Sequence, residues 1–195
     1  MNDLLPLLSY SLLMSATPGP NNILLTTSGA NFGYRRSLPH LLGVSIGGGV
    51  QTWLACLGLG TLLADHPAVH DVLRIAGALF LLWMAWKLTT PVVFGTELAQ
   101  PVGFFEAAAF QFVNPKTWLK SVTVATVFMP AGMPTGVAAL LVLAITLATN
   151  FPCISMWTLF GAGLRRVLTR PGWREAFNAI MAGSLAVLAV LLLTR

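Results

Sequence analysis

Apolar residues in this chain form long unbroken runs rather than amphipathic stripes, and the rare charges mark where the runs end. No charged residue lies between Leu4 and Tyr34, and none between Arg36 and Asp65 if His40 is neutral. A helix that crosses a bilayer needs about 20 mainly apolar residues, so the gaps between charges predict six spans. These run from about Leu4 to Asn31, Leu38 to Ala64, Val72 to Leu88, Phe104 to Phe128, Gly136 to Leu159 and Ala176 to Thr194. The third is short, and Arg74 and Lys87 near its ends can snorkel to the interface. The uncharged run between Lys120 and Arg165 is too long for one helix, and "MPAGMP" within it supplies a turn.

Composition agrees with that pattern. The chain has 195 residues, 56% of them hydrophobic and 9% charged, with a mean hydropathy of +0.78. A soluble domain has about a quarter of its residues charged, so the expected class is an all-α membrane protein, a single transmembrane domain over residues 1–195. The net charge of +5 lacks the interleaved basic and aromatic residues of a nucleic-acid surface. It reads instead as loop asymmetry. Arg35, Arg36, Lys87, Arg165, Arg166, Arg170 and Arg174 flank odd-numbered loops, whereas the other side has little beyond Arg74 and Arg195. Lys and Arg concentrate in cytoplasmic loops, which puts both termini outside, on the periplasmic face of a bacterial membrane.

Cys56 and Cys153 fall in apolar segments and read as small hydrophobes, with no disulfide framework or metal site. "SLLMSA" offers the small residues of a signal-peptide cleavage site, but only Asp3 precedes it where basic residues belong, so it reads as a retained first helix. No HExxH, Walker A loop or dinucleotide fingerprint occurs, so no cofactor is expected.

The two halves resemble each other in outline. A first repeat at about 4–88 and a second at about 104–194 are joined by the linker "TTPVVFGTELAQPVG", about 89–103. Each opens with a span interrupted by proline and asparagine, "PGPNN" at 18–22 and "NPK" at 114–116, and each closes with a similar motif, "AGAL" at 76–79 and "AGSL" at 182–185. The offset from Pro20 to Pro115 differs from that between Gly77 and Gly183, so the match requires an insertion. Three spans per unit is an odd number, and the second unit must then cross in the opposite sense. Inverted repeats with interrupted helices at their interface are a common transporter architecture.

A proline inside a helix removes its own donor and displaces the carbonyl four residues back. Pro18 and Pro20 thus free the carbonyls of Met14 and Ala16, and Pro115 frees that of Gln111. Such breaks survive in hydrocarbon only against other helices or a wet cavity. After the first break, the amides near Asn21 and Asn22 open a new helix, whose N-terminus favours anions. Freed carbonyls attract cations. A solute with both charges, a small zwitterionic amino acid, suits the pair. The competing reading of a lone proline is a kink in a packed helix.

Lys116 is an intramembrane charge, costly and functional by default; its bland alternative, shared by Lys120, is snorkelling to an interface. Glu106 is the sole acidic residue within a predicted span, a proton-coupling candidate or simply interfacial. His40 is a second coupling candidate whose alternative is an interfacial histidine. Gln111 and Asn114 add neutral polar contacts. Gln51 and Asn150 are cavity candidates, the latter beside Pro152, which marks a weaker break in the fifth span.

At "TPGPNNILLTTSGANFGYRRSLPHLLGVSIGG" and "FVNPKTW" the chain resembles the LysE/RhtB family of bacterial inner-membrane amino-acid exporters, and the span pattern extends the likeness over nearly the whole chain. The resemblance implies efflux of amino acids or derivatives, coupled to the proton gradient. It places signature positions at Pro18, Gly19, Pro20, Asn21, Asn114, Pro115 and Lys116. Many members carry aspartate after the second proline; this chain has Asn21. The "PGPNN" form is similar to the branch that exports cysteine and O-acetylserine. The partners implied are substrate, proton and bilayer, without nucleic acid; self-association is left open. Two other classes compete. A non-transporting membrane scaffold has no reason to bury Lys116 beside two broken helices. An intramembrane hydrolase would rest on "GVSIG" at 43–47, which matches GxSxG but lies in a helical span where close helix packing explains its glycines better.

Overall fold

The computed structural model describes residues 4–59, 67–89 and 100–194. Among these, eight α-helices follow one another: α1 Leu4–Ala16, α2 Pro20–Phe32, α3 Leu38–Leu54, α4 Pro67–Thr89, α5 Phe104–Gln111, α6 Pro115–Val127, α7 Thr135–Leu164 and α8 Pro171–Leu193. Short 3₁₀ turns at Arg35–Ser37 and Val167–Thr169 lead into α3 and α8, and a π turn at Ala55–Leu59 ends α3. Gly58 leaves that turn at φ 112°, a conformation that only glycine adopts cheaply.

Proline marks the starts. It occupies the first turn of α2, α3, α6 and α8, where a missing N–H has no intrahelical partner to lose. The expected first span is therefore two helices, α1 and α2, separated by Thr17, Pro18 and Gly19, and the expected fourth span is α5 and α6, separated by Phe112, Val113 and Asn114. Pro152 behaves otherwise. α7 runs through it without interruption, so the expected weaker break at Asn150–Pro152 is not a break. The reason is local: a lone proline removes one hydrogen bond, whereas Pro18-Gly19-Pro20 removes two donors around a residue with no Cβ to hold a helical backbone.

Other boundaries shift modestly. α4 begins at Pro67 rather than near Val72, α7 extends to Leu164 and α8 begins at Pro171. Most of the expected linker, and the end of the second span beyond Leu59, lie outside the described residues.

Polar groups lie inside and large apolar ones outside. Asn22, Gln51, Gln111, Asn114, Lys120 and Thr158 are buried, while Phe105 is 84% exposed, Leu5 and Met156 70% and Trp86 66%. Among the described residues, four stretches are long and apolar enough to cross a bilayer, Arg35–Leu59, Asp71–Thr89, Thr135–Leu164 and Gly172–Leu193. This inside-out distribution defines a multi-pass membrane protein, because lipid solvates the exposed apolar belt and leaves polar contacts to the interior.

Small residues bring the helices together. The principal packed pairs are α2 with α7, α4 with α8 and α3 with α5, and α3 and α1 also lean on α7. Gly29 of α2 faces the Thr158 carbonyl of α7, and Gly161 of α7 faces the Thr26 carbonyl of α2. Gly43 and Gly47 of α3 lie against the backbone of Phe104 and Ala108 on α5, and Gly77 of α4 lies against the Val113 carbonyl. Ser45, between the first two, is buried within α3. The "GVSIG" glycines thus serve helix contact, and the serine is not on a strand-to-helix elbow. Between the crossings sit three apolar clusters, around Leu81, Phe110 and Leu185, around Leu7, Val124 and Val142, and around Leu25, Val44 and Ile154.

Candidate functional site

The two helix breaks meet. Asn21, in the first turn of α2, and Gln111, the last residue of α5, exchange amide hydrogen bonds: Asn21 Nδ2 donates to Gln111 Oε1 at 2.8 Å, and Gln111 Nε2 donates to Asn21 Oδ1 at 3.2 Å. Thr117 Oγ1 donates to the same Gln111 oxygen at 3.1 Å. Residues 90 positions apart are thereby clamped across the breaks. Gln111 Nε2 also donates to the Ala107 carbonyl at 2.9 Å, so removing Gln111 leaves the Asn21 amide without these partners, whereas removing Asn21 leaves Gln111 with Thr117 and Ala107.

The carbonyls freed by proline have partners of their own. The Met14 carbonyl accepts from Thr17 Oγ1 at 3.2 Å, and the Ala16 carbonyl from Trp157 Nε1 at 3.2 Å. The Gln111 carbonyl accepts from Gln51 Nε2 at 2.9 Å. Asn22 Nδ2 donates to the carbonyls of Ser15, at 3.2 Å, and Thr17, at 2.8 Å. Asn114 caps α6, its side-chain oxygen accepting from the Lys116 N–H at 3.1 Å.

Lys116 completes the junction. From the first turn of α6 its ammonium reaches the opposite break and donates to the Thr17 carbonyl, to Thr17 Oγ1 at 3.0 Å and to the Pro18 carbonyl at 3.1 Å. The residue is half-buried, and its side chain fills the space a Cβ on Gly19 would take, with Cδ 2.7 Å from that position. The carbonyls freed by the prolines thus meet neutral donors, Thr17, Trp157 and Gln51, while the Lys116 ammonium is held by the oxygens of Thr17 and Pro18 within the break.

Beside this junction opens a pocket of about 500 Å³ of unfilled space, counting the part open to the outside. Gly19, Asn21, Asn22, Gln111, Asn114, Lys116 and Asn150 line it, so these candidate positions lie around one pocket. Pro18, Pro20 and Pro115 shape the breaks without lining the pocket. Gln51 stands behind it as the partner of a freed carbonyl. His40 is buried at the start of α3 with Nδ1 unpartnered, away from the lining. Glu106 is elsewhere as well: its carboxylate accepts from Lys87 Nζ at 3.2 Å and from the Gly103 N–H at 3.4 Å, at the partly exposed N-terminus of α5.

Lys120 is the residue whose sequence reading changes most. An interfacial, snorkelling lysine was one expectation; it is instead buried, 6% exposed, on the pocket wall. Its spacing of four from Lys116 places both on one face of α6, and that spacing was the available signal. Ser15, Thr17, Thr117, Thr146 and Trp157 also contribute to the junction or the pocket, and no local motif announces them, because their roles depend on which helix packs opposite.

Broken helices beside a partly open pocket lined by amides and two lysines, inside a lipid-facing apolar shell, are the features of a membrane translocator. The whole-chain comparison specifies which kind. Residues 12–195 match the family model described as LysE type translocator, and the chain belongs to that family. It is 40% identical over 124 residues to the Cysteine/O-acetylserine efflux protein of Escherichia coli (strain K12), a match covering 62% of this chain and 63% of the relative. The protein of that name from Salmonella typhimurium (strain LT2) is 37% identical over 123 residues, with the same coverage. The alignment thus spans just under two thirds of either relative. No solved structure matches significantly.

Proposed function

We propose that the protein is a secondary exporter of amino acids or their derivatives across the bacterial inner membrane. One observation carries this reading: two interrupted helices, tied to each other by the Asn21–Gln111 pair and by Lys116, wall a pocket that holds two lysines and several amides. Membership of a translocator family and the efflux names of its relatives support it. Cysteine and O-acetylserine are the proposed cargo.

In this reading the chain forms one domain of six crossings, built as two inverted three-helix units with α1–α2 and α5–α6 as their broken first members. The pairing of helices supports it: α7 packs on both halves of the first broken crossing and α3 on both halves of the second, while α4 packs on α8. The units rock about the pocket in alternating access. Pro18, Gly19, Pro20, Asn21, Asn22, Gln111, Asn114, Pro115 and Lys116 form the recognition site, with Asn150 on its wall and Gln51 behind it. Inward proton movement drives release outside, with Glu106 and His40 as the coupling candidates; neither lines the pocket, so coupling through them requires movement of their helices. Both termini are periplasmic.

The test is transport by purified protein in liposomes loaded with labelled cysteine or O-acetylserine, with and without an imposed pH gradient. Movement above protein-free liposomes, accelerated by the gradient, is the expected result. Equal leakage from both preparations would overturn export.

A further inference from the structure

Resting on the reading of the chain as an amino-acid exporter, we propose a division of labour between the two pocket lysines: Lys116 ties the breaks together, and Lys120 binds the substrate carboxylate. The substrate ammonium then goes to Thr146 and Asn150 of α7. The Lys116 ammonium is already surrounded by three oxygens of Thr17 and Pro18. Lys120 is more buried and less satisfied. Its hydrogen bond is a long one, 3.4 Å to Ser15 Oγ, and neither the Arg74–Asp71 nor the Lys87–Glu106 ion pair involves it. A buried ammonium without a counter-charge is costly. Among the described residues no carboxylate lines the pocket, so the complementary anion arrives with the ligand.

Acceptors lie in the same pocket. Thr146 Oγ1 and Asn150 Oδ1 are buried without a hydrogen-bond partner, both residues line the pocket, and a spacing of four puts them on one face of α7. Asn150 Nδ2 donates to Ser15 Oγ at 3.2 Å, the same hydroxyl that Lys120 approaches. Cationic wall and acceptor wall are therefore bridged by a single side-chain oxygen of α1. An α-amino acid carries its carboxylate and ammonium on one carbon, and so presents opposite charges at that short separation. An amine without the carboxylate leaves Lys120 uncompensated.

Competition against labelled cysteine in proteoliposome exchange tests this, with cysteine and its decarboxylated analogue cysteamine as the competing probes. Wild-type protein is expected to prefer cysteine by at least tenfold. Lys120→Gln should weaken cysteine by roughly tenfold to a hundredfold, the factor expected for a lost charge-assisted contact, while leaving cysteamine where it was. Lys120→Arg should keep the preference. Lys116→Gln should slow exchange and lower stability while also keeping it. Asn150→Leu should weaken both probes alike, because both carry the ammonium. Undiminished preference in Lys120→Gln overturns the assignment. Should that variant fail to fold, Asn150→Leu and Lys120→Arg decide: a loss in Asn150→Leu confined to cysteine, or no loss, overturns it, as does a lost preference in Lys120→Arg. Wild-type protein that moves no amino acid refutes export itself, a distinct result.

Discussion

Gly161 and Gly163 lie two residues apart on α7, and alanine at each should act in opposite directions. A Cβ at Gly161 would sit 2.0 Å from the Thr26 carbonyl oxygen, 2.8 Å from its carbon and 3.0 Å from the Ala30 nitrogen. Carbon and carbonyl oxygen approach no closer than roughly 3.3 Å without repulsion, so α2 and α7 must move apart by more than about 1 Å. The obstacle is backbone, which cannot swing aside like a side chain. Overpacking of this kind costs about 1–3 kcal/mol, occasionally more, and the reciprocal contact of Gly29 with the Thr158 carbonyl, also 2.0 Å from an added Cβ, loosens as well. We expect Gly161→Ala to cost about 3 kcal/mol. At Gly163 an added Cβ meets nothing within 4 Å, and alanine improves helix propensity by up to ~1 kcal/mol. At roughly 2–4 °C per kcal/mol for a chain of this size, purified Gly161→Ala should melt roughly 6–12 °C below wild type, and Gly163→Ala at or slightly above it. Because α2 carries Asn21 and Asn22 and α7 carries Thr146 and Asn150, the first variant should also lose transport. If Gly161→Ala melts within about 2 °C of wild type, the close α2–α7 crossing is wrong.

Three further outcomes follow from the pocket. Gln111→Leu should cost about 1–3 kcal/mol by leaving the Asn21 amide without its partner, Asn21→Leu should cost less because Gln111 keeps Thr117 and the Ala107 carbonyl, and the double variant should cost less than their sum, a coupling that a double-mutant cycle in thermal unfolding measures. Lys116→Met leaves the Pro18 carbonyl without the ammonium, whereas the Thr17 carbonyl keeps Asn22; a stability loss of about 1–3 kcal/mol is expected, with exchange slowed, and unchanged melting would refute the tie between the breaks. Gly48→Ala should fold normally, because its Cβ meets Thr117 and Gln111 at 3.7 and 3.9 Å, yet narrow the pocket, so competition assays should show O-acetylserine weakened more than cysteine.

The sequence determined the lipid-facing class of the protein, because a chain that is 9% charged cannot coat itself for water. It also determined where the backbone must break. Pro18-Gly19-Pro20 and Asn114-Pro115 remove donors and supply a cap within a few residues of chain, so "PGPNN" and "NPK" were sufficient to locate both interruptions. Pro152 shows the limit of that logic, since one missing hydrogen bond is within the tolerance of a 30-residue helix. Which groups answer the breaks was decided only by tertiary packing. Trp157 meets the Ala16 carbonyl from 141 positions away, and Lys116 meets Thr17 and Pro18 from almost 100. Lys120 and Glu106 illustrate the reason: a charge in an apolar run reads the same whether its face of the helix meets lipid, an ion partner or a cavity, and only the position of the neighbouring helices separates those environments.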